Sequence, residues 1–149
     1  MSKLYLSFVQ KSFKYFFLLF LVFELESSEK VDIKNLLPKL EVASNFEDRK
    51  KGLMFIPSIS NEFGMFFIWE YKKKQCMWMK DTFIPLSVAY IADNGEIIEM
   101  YDMVPFSKKS VCSEKPVKYA LEVNKDWFQK KGLKIGDVVD INRIIKSDN

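Results

Sequence analysis

Short hydrophobic runs, separated by turn-forming residues at close spacing, make up most of this chain. Residues 40–43 and 64–69 have the length of strands, and the second run is apolar throughout, which is typical of a strand buried on both faces. Residues 77–79 follow a polar turn at 70–74 and are expected to pair with 64–69. Many short strands at close spacing predict a mainly β domain.

The clearest local signal is a hairpin. Residues 86–91 and 96–100 flank an Asp-Asn-Gly turn at 93–95, and Asn-Gly tolerates the positive φ angles that a tight turn needs. Residues 117–123 alternate between hydrophobic and other residues, which predicts a strand with one buried face. Residues 138–144 are expected to form the last strand.

Two short helices are predicted beside these strands. Ser44 or Asn45 can cap a helix over 46–51, and Asn124 can cap a second helix over 125–131. Each helix is followed by a glycine, which is typical of a helix end. The pattern as a whole predicts a compact β-barrel or sandwich with two short helices.

A hydrophobic targeting helix is expected before the domain. Three lysines precede the apolar run at 15–23, which has the length of a secretory signal core (~7–15 residues) and is short for a membrane span (~20 residues). No Ala-x-Ala cleavage pattern follows the run, so a cleaved signal and a retained membrane anchor both stay open. Residues 1–28 are thus expected to direct export, 29–38 to be a linker, and 39–146 to form one domain.

The amino-acid composition excludes several kinds of catalytic and metal-binding site. The chain has no histidine, which excludes a Ser-His-Asp or Cys-His catalytic group, His-ligated zinc and proton shuttling by His within it. The net charge is +3, of which residues 1–28 contribute +1, so the domain carries too weak a field to indicate nucleic-acid binding. No cofactor and no metal are expected, since the methionines are spread along strands and favour packing over a copper site.

Cys76 and Cys112 have two alternative roles. In an oxidising compartment they can form a disulfide, whereas a reduced Cys76 would be a small buried hydrophobic residue. Their spacing matches neither a redox CxxC motif nor a zinc site.

The order of several motifs resembles the domain-of-unknown-function 192 family, which is uncharacterised and widespread in bacteria and archaea. The motifs are Arg-Lys-Lys-Gly-Leu-Met-Phe at 49–55, Gly-Met-Phe-Phe at 64–67, Trp-Met-Lys-Asp-Thr-Phe-Ile-Pro-Leu at 78–86, Asp-Asn-Gly at 93–95, Tyr-Ala-Leu-Glu-Val-Asn at 119–124, and Gly132 with Gly136 and Asp137. The resemblance implies a compact mainly β domain that is often exported behind a signal segment. The family has no settled activity, so the resemblance implies a fold and a location outside the cytoplasm rather than a reaction.

The chain departs from the family pattern at three places. Asp81 stands where the family usually has Asn, and Ser87 stands where it usually has Asp. A later loop with Pro and Cys is reduced here to Pro105 and Cys112. If the missing Asp is a functional acid in relatives, this chain has lost it or relocated it.

Charged residues near the central motif are the first candidates for a site. Lys80 can bind an anionic ligand beside the Trp78 ring, with Asp81 orienting it, or the two can form an ion pair that only fixes a loop. Arg49 can bind a ligand carboxylate, or pair internally with Asp81 or Glu122. Glu122 lies on the strand face opposite the hydrophobic stripe, where it either lines a cleft or faces solvent.

Aromatic residues supply the second group of candidates. Trp78, Trp69 and Tyr90 either stack against a flat ligand or fill the core. The residues assigned to ligand binding are Arg49, Trp78, Lys80, Asp81, Tyr90 and Glu122, and none is assigned a catalytic role.

Together these features favour an exported binding or protein-interaction module over an enzyme. It is expected in the periplasm or cell envelope, either released or tethered to the inner membrane through residues 15–23, and its partner would be an envelope ligand or protein. The alternative is a hydrolase of envelope polymers that uses Asp81 and Glu122. That alternative requires the two carboxyls to lie ~5–10 Å apart across an open groove.

Overall fold

The computed structural model describes residues 29–146. The expected targeting segment at 1–28 lies outside the described residues. In chain order the elements are α1 (Ile33–Leu36), β1 (Lys39–Ala43), α2 (Phe46–Lys51), β2 (Phe63–Lys73), β3 (Cys76–Met77), β4 (Leu86–Ile91), β5 (Ile97–Met103), β6 (Val111–Cys112), β7 (Val117–Asn124), α3 (Trp127–Lys130) and α4 (Ile141–Lys146).

Five strands form one mixed sheet in the order β1-β2-β7-β4-β5. β1 and β2 are parallel and are joined by a crossover that contains α2, whereas the other pairs are antiparallel. The outer strands β1 and β5 do not pair with each other, so the sheet stays open in the described part of the chain. The mainly β class is therefore confirmed, whereas the sheet does not close into the barrel that was considered. A separate two-stranded sheet pairs β3 with β6.

Both faces of the main sheet are covered, and each carries its own hydrophobic core. One core packs α1, α3 and α4 against the sheet through residues such as Ile33, Phe66, Leu121 and Trp127. The other lies beneath α2 and the small β3–β6 sheet and is rich in methionine. The interior strand β4 is buried along its whole length because both cores use it. The second core borders the candidate site.

The sequence pattern predicts several of these elements well. β1, α2 and β7 have the expected positions, and β4 and β5 form the predicted hairpin around the Asn94-Gly95 turn. Gly95 has a φ of 92°, the left-handed conformation that the turn requires. The backbone N–H of Gly95 donates to Ala92 O at 3.0 Å and closes the turn.

Three predictions about local structure are corrected. The segment at 77–79 does not pair with β2, because β1 and β7 already occupy both edges of that strand. Residues 138–144 do not form a strand: Val138 and Val139 make single bridges, and the chain then enters α4. Ile141 and Ile144, three positions apart, share the buried side of that helix. Residues 29–146 therefore contain four short helices, where two were expected in the domain.

The segment at 29–38 was expected to be a linker. It contains α1, whose Asp32 cap accepts hydrogen bonds from the N–H groups of Lys34 and Asn35. Ile33 and Leu37 are fully buried in the first core. In residues 29–146, no helix is long and apolar enough to cross a membrane.

Candidate functional site

A pocket of about 330 Å³ opens on the face of the sheet that carries α2 and β3. This volume lies at the lower end of the range typical of small-molecule sites. Its walls come from α2 and the turn after it, from β2, from β3 and from one residue of β7. The lining residues are Phe46, Arg49, Lys50, Lys51, Gly52, Leu53, Met54, Phe67, Trp69, Lys73, Cys76, Met77, Trp78, Thr82 and Glu122.

Helix α2 forms one wall, and its local sequence explains why it begins and ends where it does. The Asn45 side chain accepts a hydrogen bond from Asp48 N at 2.9 Å and so caps the first turn. Acidic residues occupy the first turn and basic residues the last, which matches the helix dipole at both ends. Gly52, with a φ of 46°, ends the helix. The three basic residues of the last turn are thereby brought to the pocket.

Two backbone carbonyl oxygens hold the Arg49 side chain in place. Its Nη1 donates to Ser44 O and, at 2.9 Å, to Ile68 O, which ties α2 to the strands beneath it. Of the alternatives for Arg49, the internal pair with Asp81 or Glu122 is not formed, since carbonyl oxygens take that place. A guanidinium has five N–H donors, and Nε and Nη2 still offer three of them to a ligand in the pocket.

Glu122 is the acidic group at the floor of the pocket. It pairs in register with Met65 of β2 and Val88 of β4, in the middle of the sheet. The alternation of β7 turns it away from the first core, as its position opposite the stripe predicts, and only 4% of the residue is exposed. It therefore does not face solvent but lines the pocket.

The carboxyl of Glu122 has no internal partner in residues 29–146. Within the described residues, neither a hydrogen-bond donor nor a cation is paired with it. Burial raises the pKa of Glu122 to about 8, with no compensating interaction. At neutral pH the group is mostly protonated, so it can donate a hydrogen bond as well as accept one.

β3 and the residues after it form the wall facing α2. Cys76 lies opposite Cys112 of β6, and a disulfide joins them, which settles the two alternatives for these cysteines in favour of the bond. The short strand is also held by Gln75 N, which donates to Ser113 Oγ at 3.1 Å. Trp78 follows directly, half-exposed at the pocket edge.

The pocket carries more positive than negative charge. Arg49, Lys50, Lys51 and Lys73 line it together with one acid, Glu122. Lys50 lies over the Phe46 ring at 5.9 Å, whereas Lys51 and Lys73 have no ion-pair partner among the described residues. In the same part of the chain, no group of three or more His, Cys, Asp or Glu residues is placed to hold a metal ion. The arrangement suits an anion rather than a cation.

Lys80 and Asp81 lie beside this pocket and do not line it. Their side chains form an exposed ion pair at 4.0 Å, and Lys80 Nζ lies 5.5 Å from the centroid of the Trp78 ring. The hydrolase hypothesis requires Asp81 and Glu122 to face each other across one groove. Asp81 is 42% exposed in its side chain and Glu122 is buried in a pocket that Asp81 does not line, so this arrangement is not formed.

Tyr90 is not a pocket residue, contrary to its assignment as a ligand-stacking aromatic. It is fully buried in the second core, where its ring packs edge-on against Tyr101. Its hydroxyl donates to Val111 O at 2.6 Å, and burial raises its pKa. The side chain therefore holds β6 against the sheet and is closed to ligands.

Several pocket residues were missed by the sequence reasoning. Phe46, Lys51, Met54 and Lys73 gave no separate signal, because their common location depends on how α2 crosses over β2. Thr82 was noted only as a neighbour of Asp81, yet it is buried and lines the pocket. The resemblance motif at 49–55 was the one available signal, since it contributes six of its seven residues to the lining.

Ser87 lies in a different groove, where the family pattern usually has Asp. Its hydroxyl donates to Asp102 Oδ1 at 2.6 Å and accepts from Asp126 N at 3.2 Å. Asp102 is the register partner of Ser87 on β5 and pairs with Lys125 at 3.8 Å. A carboxylate thus lies next to position 87, on the neighbouring strand.

Comparisons with known proteins identify relatives but no characterised activity. Residues 28–141 match the model of a family described as DUF192, Uncharacterized ACR. No curated protein matches the chain.

Two crystal structures are similar over the domain. One, from Sinorhizobium meliloti 1021, carries the words "putative transcription regulator"; it is 33% identical, with a TM-score of 0.65, and the match covers 66% of this chain and 78% of that one. The other, a protein of unknown function from Novosphingobium aromaticivorans DSM 12444, is 27% identical, with a TM-score of 0.64 and coverage of 66% and 71%.

Proposed function

The chain belongs to the DUF192 family, and from this premise we propose that it is a cell-envelope binding module whose α2–β3 pocket takes a small organic anion with a flat or apolar portion. The single observation that carries this proposal is Glu122, a buried carboxyl without an internal partner that lines a basic, aromatic pocket. Buried polar groups are normally hydrogen-bonded within the fold, so an unpartnered one in a pocket is a natural ligand contact.

The proposed ligand meets two kinds of surface. Its anionic group lies against the free donors of Arg49 and the ammonium groups of Lys51 and Lys73. Its flat portion lies against Trp78 and Trp69. Protonated Glu122 donates a hydrogen bond to an acceptor oxygen of the ligand.

The cell-envelope location is supported by the disulfide and the N-terminal sequence. Disulfides such as Cys76–Cys112 persist in oxidising compartments and are rare in the cytoplasm. Fusion of residues 1–28 to an alkaline phosphatase reporter tests export, since that reporter is active only outside the cytoplasm. An inactive fusion contradicts the proposed location but has no bearing on the proposed binding pocket.

A regulator of transcription is a weaker candidate. The Sinorhizobium relative carries that description, but the net charge of +3 in this chain gives little attraction for the phosphate backbone. The pocket concentrates its positive charge in a concave site of small-molecule size, which favours a small anion.

Matched ligand probes test the proposed pocket. We expect indole-3-acetate, which has a flat ring and a carboxylate, to bind the full chain and raise its melting temperature, and its neutral amide to bind more weakly. The same measurement extends to acidic muropeptides and envelope glycans. Equal response to the acid and the amide contradicts anion recognition, and no response to any of these anions contradicts the proposal.

Matched variants locate the binding site. Trp78→Ala is expected to weaken binding about fivefold, because a stacked aromatic contributes roughly 1 kcal/mol. Phe83→Ala is its control, since Phe83 is equally exposed, at 44%, and does not line the pocket. Lys73→Ala is expected to weaken binding and Lys74→Ala to leave it unchanged. If control and pocket variants behave alike, the anion binds elsewhere.

A further inference from the structure

A second surface is formed by exposed hydrophobic side chains on three loops that border the pocket. We call it the loop patch, and its residues are Phe55, Trp78, Phe83, Val104 and Phe106. Val104 is 71% exposed, Phe55 66% and Phe106 58%. Large apolar side chains gathered at one place on a surface mark an interaction site more often than scattered ones do.

The loops of the patch leave the sheet at the same end. β4 begins at Leu86, which pairs in register with Met103 at the end of β5, so the segment before β4 and the segment after β5 are neighbours. Phe106 N donates to Thr82 O at 3.2 Å, and Met79 N donates to Ser107 O at 3.2 Å. The loop after α2 joins them.

Phe55 and Phe106 are held in an unusual backbone conformation. Their φ angles are 64° and 61°, in the left-handed region that bulky residues rarely adopt, and Asp81 between them has a φ of 54°. Phe55 N donates to Asp81 O at 2.9 Å, which fixes two of these positions to each other. Strained residues of this kind persist where the surrounding structure holds them, and they cluster at functional sites.

The aromatic rings do not turn back into the core. Phe83 packs against Phe106, with ring centroids 5.3 Å apart, and both rings stay largely exposed. The fold therefore holds these two side chains outward as a pair.

Lysines surround the patch. Lys80 lies over the Trp78 ring, and Lys108 and Lys109 follow Phe106 in the chain after one residue, Ser107. The acidic residues of these loops are Asp81 and Glu62, and each is already paired with a lysine, Lys80 and Lys39. The patch thus combines exposed aromatic rings with an excess of positive charge.

We propose that the loop patch docks the domain on an anionic lipid bilayer, with its aromatic rings in the interfacial region and its lysines at the phosphate groups. Tryptophan settles at the level of the lipid head groups, phenylalanine inserts at the boundary between head groups and acyl chains, and nearby lysines add electrostatic attraction to anionic lipids. The rings stand on three separate loops and are individually exposed, which suits a soft planar surface. This proposal does not depend on a ligand for the pocket.

Quenching of tryptophan fluorescence by brominated lipids tests the proposal on the full chain. The three tryptophans are Trp69, Trp78 and Trp127, and none lies in residues 1–28, so quenching reports contact by the domain itself. The chain is reconstituted in vesicles of brominated phosphatidylcholine with or without phosphatidylglycerol. We expect quenching only with phosphatidylglycerol, a decrease at high salt, and its loss in Trp78→Phe.

Patch variants are compared with a control at the other end of the sheet. Phe83→Ser with Phe106→Ser is expected to reduce quenching to less than half, and so is Lys108→Glu with Lys109→Glu. Tyr71→Ser is the control, because Tyr71 is 73% exposed and lies near the far end of β2. The lysine variants change only exposed side chains, so they keep the test valid if the aromatic pair fails to fold.

Two results overturn the proposal. The first is quenching that is absent with phosphatidylglycerol, or that the patch variants retain in full. The second is self-association of the full chain in detergent that the patch variants abolish while quenching is absent, which assigns the patch to a second copy of the chain. Neither result bears on the pocket, because none of the substituted residues except Trp78 lines it.

Discussion

Arg49 on α2 and Glu122 on β7 line the same pocket without forming an ion pair. The guanidinium is held by the carbonyl oxygens of Ser44 and Ile68, so it is supported whether or not the carboxyl is charged. Glu122 has no such support, and burial leaves its carboxyl protonated at neutral pH. The two groups therefore act toward a ligand as separate contacts, one cationic and one neutral, and each can be tested alone.

The first prediction concerns Glu122→Gln and the pH dependence of stability. The pKa of Glu122 is raised from 4.5 to about 8 in the folded state, so the unfolded chain releases this proton at lower pH than the folded chain does. The free energy of unfolding of the wild type therefore falls as pH rises from about 4.5 to about 8, by roughly 5 kcal/mol at most. Glutamine does not titrate and removes this contribution. Chemical denaturation should therefore show the free energy of unfolding of the wild type falling relative to that of the variant as pH rises from about 4.5 to about 8.

The pKa of Glu99 is shifted in the opposite direction from that of Glu122. Burial acts to raise its pKa, but hydrogen bonds from Glu114 N at 2.8 Å, Lys115 N at 3.0 Å and the Tyr101 hydroxyl outweigh it and hold the pKa below its ordinary value. Its stabilising contribution is present above pH 4.5 and is lost as pH falls through the lower folded-state pKa. Glu99→Gln should therefore lower the free energy of unfolding at neutral pH. If Glu99→Gln and Glu122→Gln show the same pH dependence of stability, the opposite pKa shifts of the two residues are contradicted.

The second prediction concerns the disulfide. Cys76 and Cys112 are separated by 36 positions, and closing a loop of this length stabilises a fold by about 3–4 kcal/mol in the chain-entropy model. Cys76→Ser with Cys112→Ser should lower the free energy of unfolding by that amount, and a reductant should do the same to the wild type. The double variant is its own control, since a reductant should leave it unchanged. An unaltered wild-type midpoint under reducing conditions would count against a structural role.

Local patterns predict much of this fold because they depend on neighbours in the chain. The Asn94-Gly95 hairpin and the Asn45-capped helix each require only a few adjacent residues. The position of Glu122 opposite the hydrophobic stripe follows from the two-residue period of a strand. Glu122, from this alternation, and Arg49 and Trp78, from the motifs at 49–55 and 78–86, were assigned to ligand binding before their common location was known.

The remaining errors depend on contacts between distant segments. Tyr90 is closed to ligands because β4 lies inside the sheet with a core on each face, and strand order is not encoded in that strand's own pattern. Asn124 does not cap α3: its Nδ2 donates to Ile59 O at 3.1 Å, in a loop more than 60 residues away. Asp126 occupies the cap position instead, without a side-chain hydrogen bond.

The third prediction compares two glycines with similar backbone conformations. Gly95 and Gly136 have φ angles of 92° and 97°, so alanine at either position is strained by about 1 kcal/mol. A Cβ at Gly95 would also lie 2.4 Å from Val139 O, whereas a Cβ at Gly136 would meet nothing within 4 Å. Gly95→Ala should thus lower the free energy of unfolding by about 1–3 kcal/mol more than Gly136→Ala does, by analogy with other overpacked sites. Equal melting temperatures for the two variants would show that the hairpin moves freely away from Val139.

The last prediction separates the two roles of Arg49. Arg49→Met removes the donors to Ser44 O and Ile68 O and should lower the free energy of unfolding by roughly 1.5–3 kcal/mol, the usual range for hydrogen bonds to a charged group. Arg49→Lys keeps the charge but not the forked geometry, so it should retain part of the affinity for indole-3-acetate while losing stability. Lys50→Met is the matched control, because Lys50 lines the same pocket from the same helix and donates to no carbonyl within residues 29–146. Chemical denaturation and calorimetric titration should therefore show Lys50→Met affecting binding alone and Arg49→Met affecting both. If Arg49→Met lowers stability and leaves binding intact, the guanidinium only holds α2 to the sheet and the anion is recognised by the lysines.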